Sequence, residues 1–545
     1  MHEVDSRRFS SVITNYLSVA YLVGMIGVVY HLVGFQAMER EKGLSTLIEA
    51  MGGSKFARMI SYHFAFSFVY IIGWVVMSLN IWGGVVNRSS PVIVILWHIS
   101  KLITPVVVVI VPANIHLAAG WAMASWAMLL GSIFKKAQLS GISATVFSLG
   151  LGVIAQVSKN AGTGAYAILS FLFPPMNYVF FFISIGRWEG KEMGASLLKK
   201  APAGNSTLPL LAFWIFSLVH IAVFPIAAAY VERYLFGTAS TGHRHINSAT
   251  ITPGNAVEVQ GFTKRYPPRL LTRLFGKRKE TVVAVDNLHL NVLEGQIMVL
   301  LGANGSGKTT TLEAIAGLAS VKEGDINIST GAGGGVGICP QKNVLWDDLT
   351  VEEHVRIWNL IKSRGDDKET LKRLIEECDL TMKRHAKSKT LSGGQKRKLQ
   401  LAAMFTGGST ICAIDEVSSG LDPLSRRKIW DIILAARGTR TILMTSHFLD
   451  EADLLADHIA ILSKGHLKCE GSAVQLKTQY GGGYRVHAPI NAPSFQGVSM
   501  KRFYDKTIYN IPDANQANQL IESLEKSGVS DYYVAGPSIE DVFLK

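Results

Sequence analysis

Gly302-Ala303-Asn304-Gly305-Ser306-Gly307-Lys308-Thr309, or GANGSGKT, satisfies the spacing G-x-x-x-x-G-K-[ST] at every fixed position. Gly302, Gly305 and Gly307 let successive backbone N–H groups turn inward as an anion-binding nest, with Ala303, Asn304 and Ser306 completing the loop. Lys308 can reach phosphate oxygens, and Thr309 supplies a hydroxyl for Mg²⁺. Upstream, Ile297 to Leu301 (IMVLL) is a short apolar run of strand type. Downstream, Thr310 to Leu318 is compatible with a helix whose N-terminal dipole faces the same anion. Strand, glycine-rich loop and helix in this order predict an α/β domain that holds a phosphorylated ligand.

The rest of the chain divides around this domain. Of 545 residues, 48% are hydrophobic, which is high for a soluble protein, and they are unevenly placed. Up to about residue 235 the sequence is mostly long apolar runs; beyond about 250 it is ordinary charged globular sequence. A net charge of +13 is accounted for by basic residues at membrane borders and in a linker, so no nucleic-acid partner is expected. All four cysteines, Cys339, Cys378, Cys412 and Cys469, lie in the soluble half without metal-like spacing, which fits a reducing cytosolic compartment. The polar stretch Met1 to Arg8 shows no cleavable signal pattern.

Spanning segments are predicted near Val12 to Gln36, Ser61 to Val86, Ile103 to Phe134, Leu139 to Val157 and Leu208 to Val231, each about 20 residues or more of mainly apolar sequence. A further run, Ala167 to Ile185, carries Pro174-Pro175, which breaks a helix and leaves either a re-entrant hairpin or a full span. With the nucleotide domain cytosolic, the basic loops Glu39 to Arg58 and Lys135-Lys136 fall inside. The N-x-[ST] triplets at Asn87 and Asn205 fall outside, as do Lys191, Lys199 and Lys200. In Glu39 to Arg58, the spacing of Leu44, Leu47, Ile48 and Met51 predicts an apolar stripe on a short helix. That helix either transmits force from the soluble domain or rests, solvated, on the membrane surface. Polar residues within spans are candidates for substrate contact or for bonds between helices: His63, Lys101, Asn114, His116 and His220.

Gly237 to Gly254 is a Gly/Ser/Thr-rich linker, and the soluble domain begins at Ala256 to Val259. Tyr266, upstream of the phosphate loop, is either an aromatic that stacks on a base or a packed tyrosine. Lys264 to Lys279 is a basic exposed loop that can also meet anionic headgroups. After the loop come the apolar run Val336 to Cys339, then Pro340-Gln341, and a capping-box spacing at Thr350 and Glu353. Leu391-Ser392-Gly393-Gly394-Gln395 offers a second anion-binding helix start before the basic run Lys396 to Leu401. Ser409 to Glu416 is an apolar strand ending in two carboxylates. Asp415 is placed to hold Mg²⁺ and Glu416 to orient or deprotonate an attacking water. A turn, Ser418 to Asp422, follows, and the strand Thr441 to Ser446 ends at His447, which can polarise a γ-phosphate.

This ordered set resembles the nucleotide-binding domain of an ATP-binding cassette transporter over Ala256 to Tyr480. Finer stretches resemble subfamily A, the lipid-exporter group: Cys339 to His354, Leu391 to Ala402, Thr445 to Asp457 and Ser538 to Lys545. The resemblance implies a helical polytopic membrane domain (1–240), a linker (241–255), an α/β P-loop NTPase domain (256–480) and a small α/β domain (481–545). The small domain is regulatory by resemblance and a packing appendage by sequence alone. ATP and Mg²⁺ are the implied cofactors. Lys308, Gln341, Glu416 and His447 are the implied catalytic set, and Thr309, Gln341 and Asp415 the metal set. Tyr266, the loop from Gly302 to Thr310, and Ser392 to Gln395 are the implied nucleotide contacts, the last group acting in trans from a second nucleotide-binding domain or transporter half. A lipid or other hydrophobic substrate and a multi-pass membrane location follow. The alternatives are an ATP-gated or regulatory membrane protein without transport, or a truncated ATP-binding product. Two departures stand out: Val417 replaces the family's proline after the acidic pair, and the chain starts at the equivalent of the second span, without a first span or large extracellular domain.

Overall fold

The structure, a computed structural model, describes residues 16, 18–84, 118–191, 193–202, 208–236, 243–247, 251–267, 281–331, 335–363, 365, 367–495 and 497–544. Residues 103–117 of the third expected span, with Asn114 and His116, lie outside these, as do Lys101, the triplets at Asn87 and Asn205, and the loop residues 268–279. The chain forms two compact units: Met1–Glu49 with Gly53–Gly237, and Ala50–Gly52 with Thr238–Lys545.

Among the described residues of the first unit, four helices are long and apolar enough to cross a membrane: Ser18–Lys42, Lys55–Trp74, Ser140–Val157 and Leu210–Phe236. The third expected span contributes the helix Ala118–Gly131. Val28, Val29, Leu32 and Val33 share one core with Met123, Ala124, Ala127 and Met128. Alanines at this seam let the helix backbones approach closely.

The Pro-Pro run breaks its helix. Thr163–Leu172 and Pro174–Glu189 meet at Phe173, whose backbone is extended (φ −130°, ψ 106°). Pro175 has no N–H, so the Phe171 carbonyl loses its i+4 donor. His220 Nε2 supplies the missing hydrogen bond at 2.7 Å. Asn177 Nδ2 adds bonds to Phe213 O (3.0 Å) and Ser217 Oγ (2.9 Å). His63 bonds Ser125 Oγ at 2.9 Å. Both described histidines singled out in the sequence therefore join helices to one another.

Glu39 to Arg58 is not one solvated helix. Gly43 (φ 79°) ends Gly27–Lys42, Leu44–Ala50 follows, and Lys55 starts the next helix. Leu44, Leu47, Ile48 and Met51 are buried as the stripe requires, but so are the flanking charges Glu39, Arg40 and Arg58. Arg40 and Arg58 each place Nη2 3.0 Å from the carboxylate of Glu232, and Arg58 lies 3.1 Å from Glu49. Arg40 also donates to Gly131 O at 2.8 Å, and Tyr62 donates to Glu39.

The second unit contains β1 (Arg244–Ile246), β2 (Asn255–Tyr266), β3 (Val282–Leu293), β4 (Ile297–Leu301), β5 (Glu323–Ile328), β6 (Val336–Cys339), β7 (Ile411–Asp415), β8 (Thr441–Ser446), β9 (His458–Ser463) and β10 (His466–Gly471). It continues with β11 (Tyr484–Pro489), β12 (Ser499–Arg502), β13 (Lys506–Ile511) and β14 (Tyr533–Ala535). One sheet has the order β1-β5-β2-β3; the central sheet has the order β10-β9-β4-β8-β7-β6, parallel except for β10. β4, β7 and β8 are buried along their whole length, as parallel strands covered on both faces must be. Their register sets Leu301 beside Ser446 and Asp415 beside Thr445, so the carboxyl ends of the three strands lie at one edge.

The third sheet, β12-β13-β11-β14, is antiparallel, and with the helix Ala514–Lys526 it encloses its own core of Val486, Tyr509, Ile511, Leu520 and Leu524. β12 (SMKR) is too short and polar to be anticipated from pattern. The terminal helix Ile539–Leu544 buries Ile539 and Val542 in the same core as Leu455 and Leu476.

Glu232→Ala would leave two guanidiniums buried without their shared counter-charge, at an expected cost of about 3–5 kcal/mol. His220→Leu, which orphans one carbonyl, should cost about 1–3 kcal/mol. Thermal unfolding of the purified chain should rank Glu232→Ala well below His220→Leu, and His220→Leu below the wild type; equal midpoints for all three would contradict the burial argument.

Candidate functional site

The GANGSGKT loop joins β4 to the helix Lys308–Ala316. Gly307 has φ 101°, and a Cβ there would lie 2.6 Å from Ala284 O, so both the turn and the close packing require glycine. The helix starts at Lys308, two residues before the expected Thr310. Lys308 is 4% exposed and donates from Nζ to the carbonyls of Gly302 (2.7 Å) and Ala303 (3.0 Å). Burial lowers its pKa, against the pull of Glu416 and Asp415.

The strand register brings the acidic pair to this loop. Thr309 Oγ1 donates to Asp415 Oδ1 at 3.0 Å, and Thr445 Oγ1 donates to the same oxygen at 2.6 Å. Burial raises the Asp415 pKa; the bonds from Thr445 and Thr309 counter it, while neighbouring Glu416 adds to it. Glu416 sits at φ 42°, a left-handed conformation unusual for a glutamate, with its N–H held by Thr445 Oγ1 at 3.1 Å. Its carboxylate is met from both sides, by Gln341 Nε2 at 2.8 Å and by His447 Nδ1 at 3.3 Å.

Asn304, Gly305, Ser306, Gly307, Lys308, Thr309, Thr310, Gln341, Glu416, Ser419 and His447 line one cleft of ≈ 490 Å³. Tyr266 does not line it; at the end of β2 it is 44% exposed, with Lys264 Nζ 5.7 Å from its ring centre. Ser392, Gly393, Gly394 and Gln395 also lie outside this lining. Ser392 and Gln395 instead form a reciprocal capping box at the start of Gly393–Phe405. A Cβ on Gly394 would lie 2.8 Å from Ser425 Oγ, so this helix start packs directly on the start of the helix Pro423–Ala435, which Asp422 caps. Val417 is fully buried in the domain core, where an aliphatic side chain suffices. All four cysteines are free thiols, three of them buried.

Several residues were not singled out in the sequence. Thr445 holds both acidic residues, and its signal was a hydroxyl at the end of an otherwise apolar strand. Arg397 donates to Pro340 O at 2.7 Å and to Gln341 O, and Gln400 donates to Lys342 O at 2.8 Å, so the helix Gly393–Phe405 grips the segment carrying Gln341. At the far end of that helix, Lys362 Nζ donates to Met404 O (3.0 Å) and Ser409 Oγ (2.6 Å). Burial lowers its pKa from 10.5 to about 7.

The geometry defines a nucleotide-binding site of P-loop type, and comparison with known proteins specifies it further. A family model for ABC transporters matches residues 285–419. ATP-binding cassette sub-family A member 2 of Rattus norvegicus is 42% identical over 241 residues, covering 42% of this chain and 10% of that protein. Phospholipid-transporting ATPase ABCA3, also of Rattus norvegicus, is 42% identical over 226 residues, covering 40% of this chain and 13% of that protein. Among solved structures, a dimeric post-hydrolysis state of an ATP-binding cassette bound to ADP and phosphate aligns at 22% identity and TM-score 0.34, covering 40% of this chain and 98% of that one. Residues 285–419 thus carry an ABC-transporter nucleotide-binding domain, the part of the chain similar to these sub-family A proteins, and the chain spans only 10% and 13% of the length of these two curated relatives.

The depressed Lys362 pKa has a definite sign. The unfolded lysine binds a proton up to about pH 10.5 and the folded one only up to about 7, so its contribution to stability is full above 10.5 and is lost as pH falls to about 7. The unfolding midpoint of the wild type should therefore rise more between pH 7 and 9.5 than that of Lys362→Met. Parallel pH profiles would show that the folded lysine keeps its ordinary pKa.

Proposed function

We propose that this chain is part of an ATP-driven transporter, in which hydrolysis at the phosphate-loop cleft is coupled to the movement of lipid through the helical unit. The observation that carries this reading is the convergence of Gln341 and His447 on the single carboxylate of Glu416, beside Lys308 and Thr309. Glu416 acts as the base that orients and deprotonates the attacking water. His447 and Gln341 fix that carboxylate, and His447 would polarise the γ-phosphate. Lys308 and the loop N–H groups hold the phosphates.

Thr309 and Asp415 present adjacent hard oxygen donors at 3.0 Å, a donor set that suits Mg²⁺, which would neutralise phosphate charge when bound. Gln341 enters as a partner of Glu416 and secondarily as a metal contact. Tyr266 would stack on the base.

The Ser392 loop lies outside the cleft lining with its polar groups turned on its own helix, which favours completion of the site by a second nucleotide-binding domain. Among the described residues, four helices of spanning length favour a multi-pass membrane protein, and the basic loops Glu39 to Arg58 and Lys135-Lys136 favour a nucleotide domain in the cytosol. The lipid substrate is supported by the apolar helical unit and by the name of the phospholipid-transporting relative.

Glu416→Gln should retain ATP while slowing hydrolysis by a factor on the order of 10² to 10⁴, measured as phosphate release by the assembled complex in lipid vesicles. Unchanged turnover would remove Glu416 from the role of base. Wild-type hydrolysis that no lipid stimulates, with no lipid moved between leaflets, would leave an ATPase but sink the lipid reading.

A further inference from the structure

Glu451, in the first turn of the helix Leu449–Leu455, has no exposed surface and does not line the phosphate-loop cleft. Its hydrogen-bond partners are both neutral: Trp430 Nε1 donates to one carboxylate oxygen at 2.9 Å, and the Ser446 hydroxyl donates to the other. Burying a carboxylate on neutral donors is costly, and an aliphatic side chain would hold the same helices together without that cost. The two donors indicate what the carboxylate is there to do.

Ser446 closes β8 and immediately precedes His447. A carboxylate can only accept, so the Ser446 proton is committed to Glu451 and the hydroxyl oxygen is left to accept the Phe448 N–H, at 3.0 Å. The residues on either side of His447 are thereby joined through one oxygen whose orientation Glu451 sets. His447 stands at the apex of this turn with Nδ1 3.3 Å from Glu416.

Trp430 belongs to the helix Pro423–Ala435, whose start packs against Gly394. One turn earlier on that helix, the Arg426 guanidinium lies 4.3 Å from the ring centre of Phe448 and 5.1 Å from that of Trp430, and Nη2 is 3.3 Å from Asp450. The same helix thus holds the turn twice, through the indole N–H on Glu451 and through Arg426 over Phe448.

We propose that Glu451 is a positioning residue for ATP hydrolysis: acting through Ser446, it fixes the imidazole of His447 beside Glu416, and through Trp430 it anchors that placement to the helix Pro423–Ala435. The proposal rests on the reading that Glu416 and His447 serve hydrolysis, and it extends the machinery to a residue outside the cleft.

Steady-state phosphate release by the full chain in lipid vesicles, followed across ATP concentrations, separates positioning from packing. Glu451→Leu should lower kcat on the order of 10- to 100-fold, as small misplacements of reacting groups do. KM for ATP should stay at the wild-type value, because Lys308 and the phosphate loop are untouched. Glu451→Gln, whose single amide oxygen can accept from one of the two donors, should give an intermediate kcat. Trp430→Phe keeps the ring beside Arg426 and removes only the N–H, so kcat should fall about fivefold, the worth of one hydrogen bond. Melting curves certify folding; if Glu451→Leu does not fold, Glu451→Gln and Trp430→Phe decide the question. Wild-type kcat in the folded variants, a loss confined to KM, or KM rising in step with the fall in kcat would overturn the proposal. Glu416→Gln and His447→Ala, measured alongside, distinguish the two levels of failure. If both lose turnover while the Glu451 and Trp430 variants keep it, only this inference falls; if His447→Ala keeps it, the role given to His447 falls and this inference with it.

Discussion

Parallel pairing of β4, β8 and β7 is the constraint on which the cleft depends. Each strand contributes one chemical element at its carboxyl end: the glycine-rich loop after Leu301, His447 after Ser446, and the carboxylates at Asp415 and Glu416. A one-residue slip in either register would carry these groups apart and turn buried side chains to the wrong face. Continuous burial of all three strands resists such a slip, so the core that stabilises the domain also aligns its chemistry. Thr445 sits where the two requirements meet, a hydroxyl within the buried strand that bonds Asp415 and receives the N–H of Glu416.

Around this edge the polar groups act on one another. Gln341 reaches Glu416 from a segment held by Arg397 and Gln400, and these two belong to the helix capped by Ser392 and Gln395. A displacement of that helix would therefore reach the carboxylate through two hydrogen-bonded steps. On the proposed reading, this would be a physical route by which a second domain on the Ser392 loop is felt at Glu416. In the helical unit a comparable economy holds at Glu232, one carboxylate shared by Arg40 and Arg58 and tying three helix segments together.

Much of this was legible in the sequence. Glycine spacing, apolar runs of strand length, and carboxylates or histidine at run ends are local signals, and the strand Thr441–Ser446 and the capping box at Thr350 and Glu353 appear as read. The break at Pro174-Pro175 was also local, since proline lacks the donor. Its repair by His220, 49 residues away, was not, because no periodicity announces which distant side chain will meet an orphaned carbonyl. The segment Glu39 to Arg58 shows the same limit: the apolar stripe was visible, but the burial of its charges depends on Glu232, 174 residues from Arg58.

By itself, then, the sequence determined the kinds of element and the chemistry available at their ends, because helix and strand periods, proline's missing N–H and glycine's freedom act over a few residues. Only the tertiary structure decided which groups share a carboxylate, that Gln341 meets Glu416, that Ser392 lies off the cleft, and that His220 is consumed in a bond. Those outcomes depend on register and packing between distant segments, where the cost of an unpaired buried polar group is settled by whichever partner the fold brings within reach.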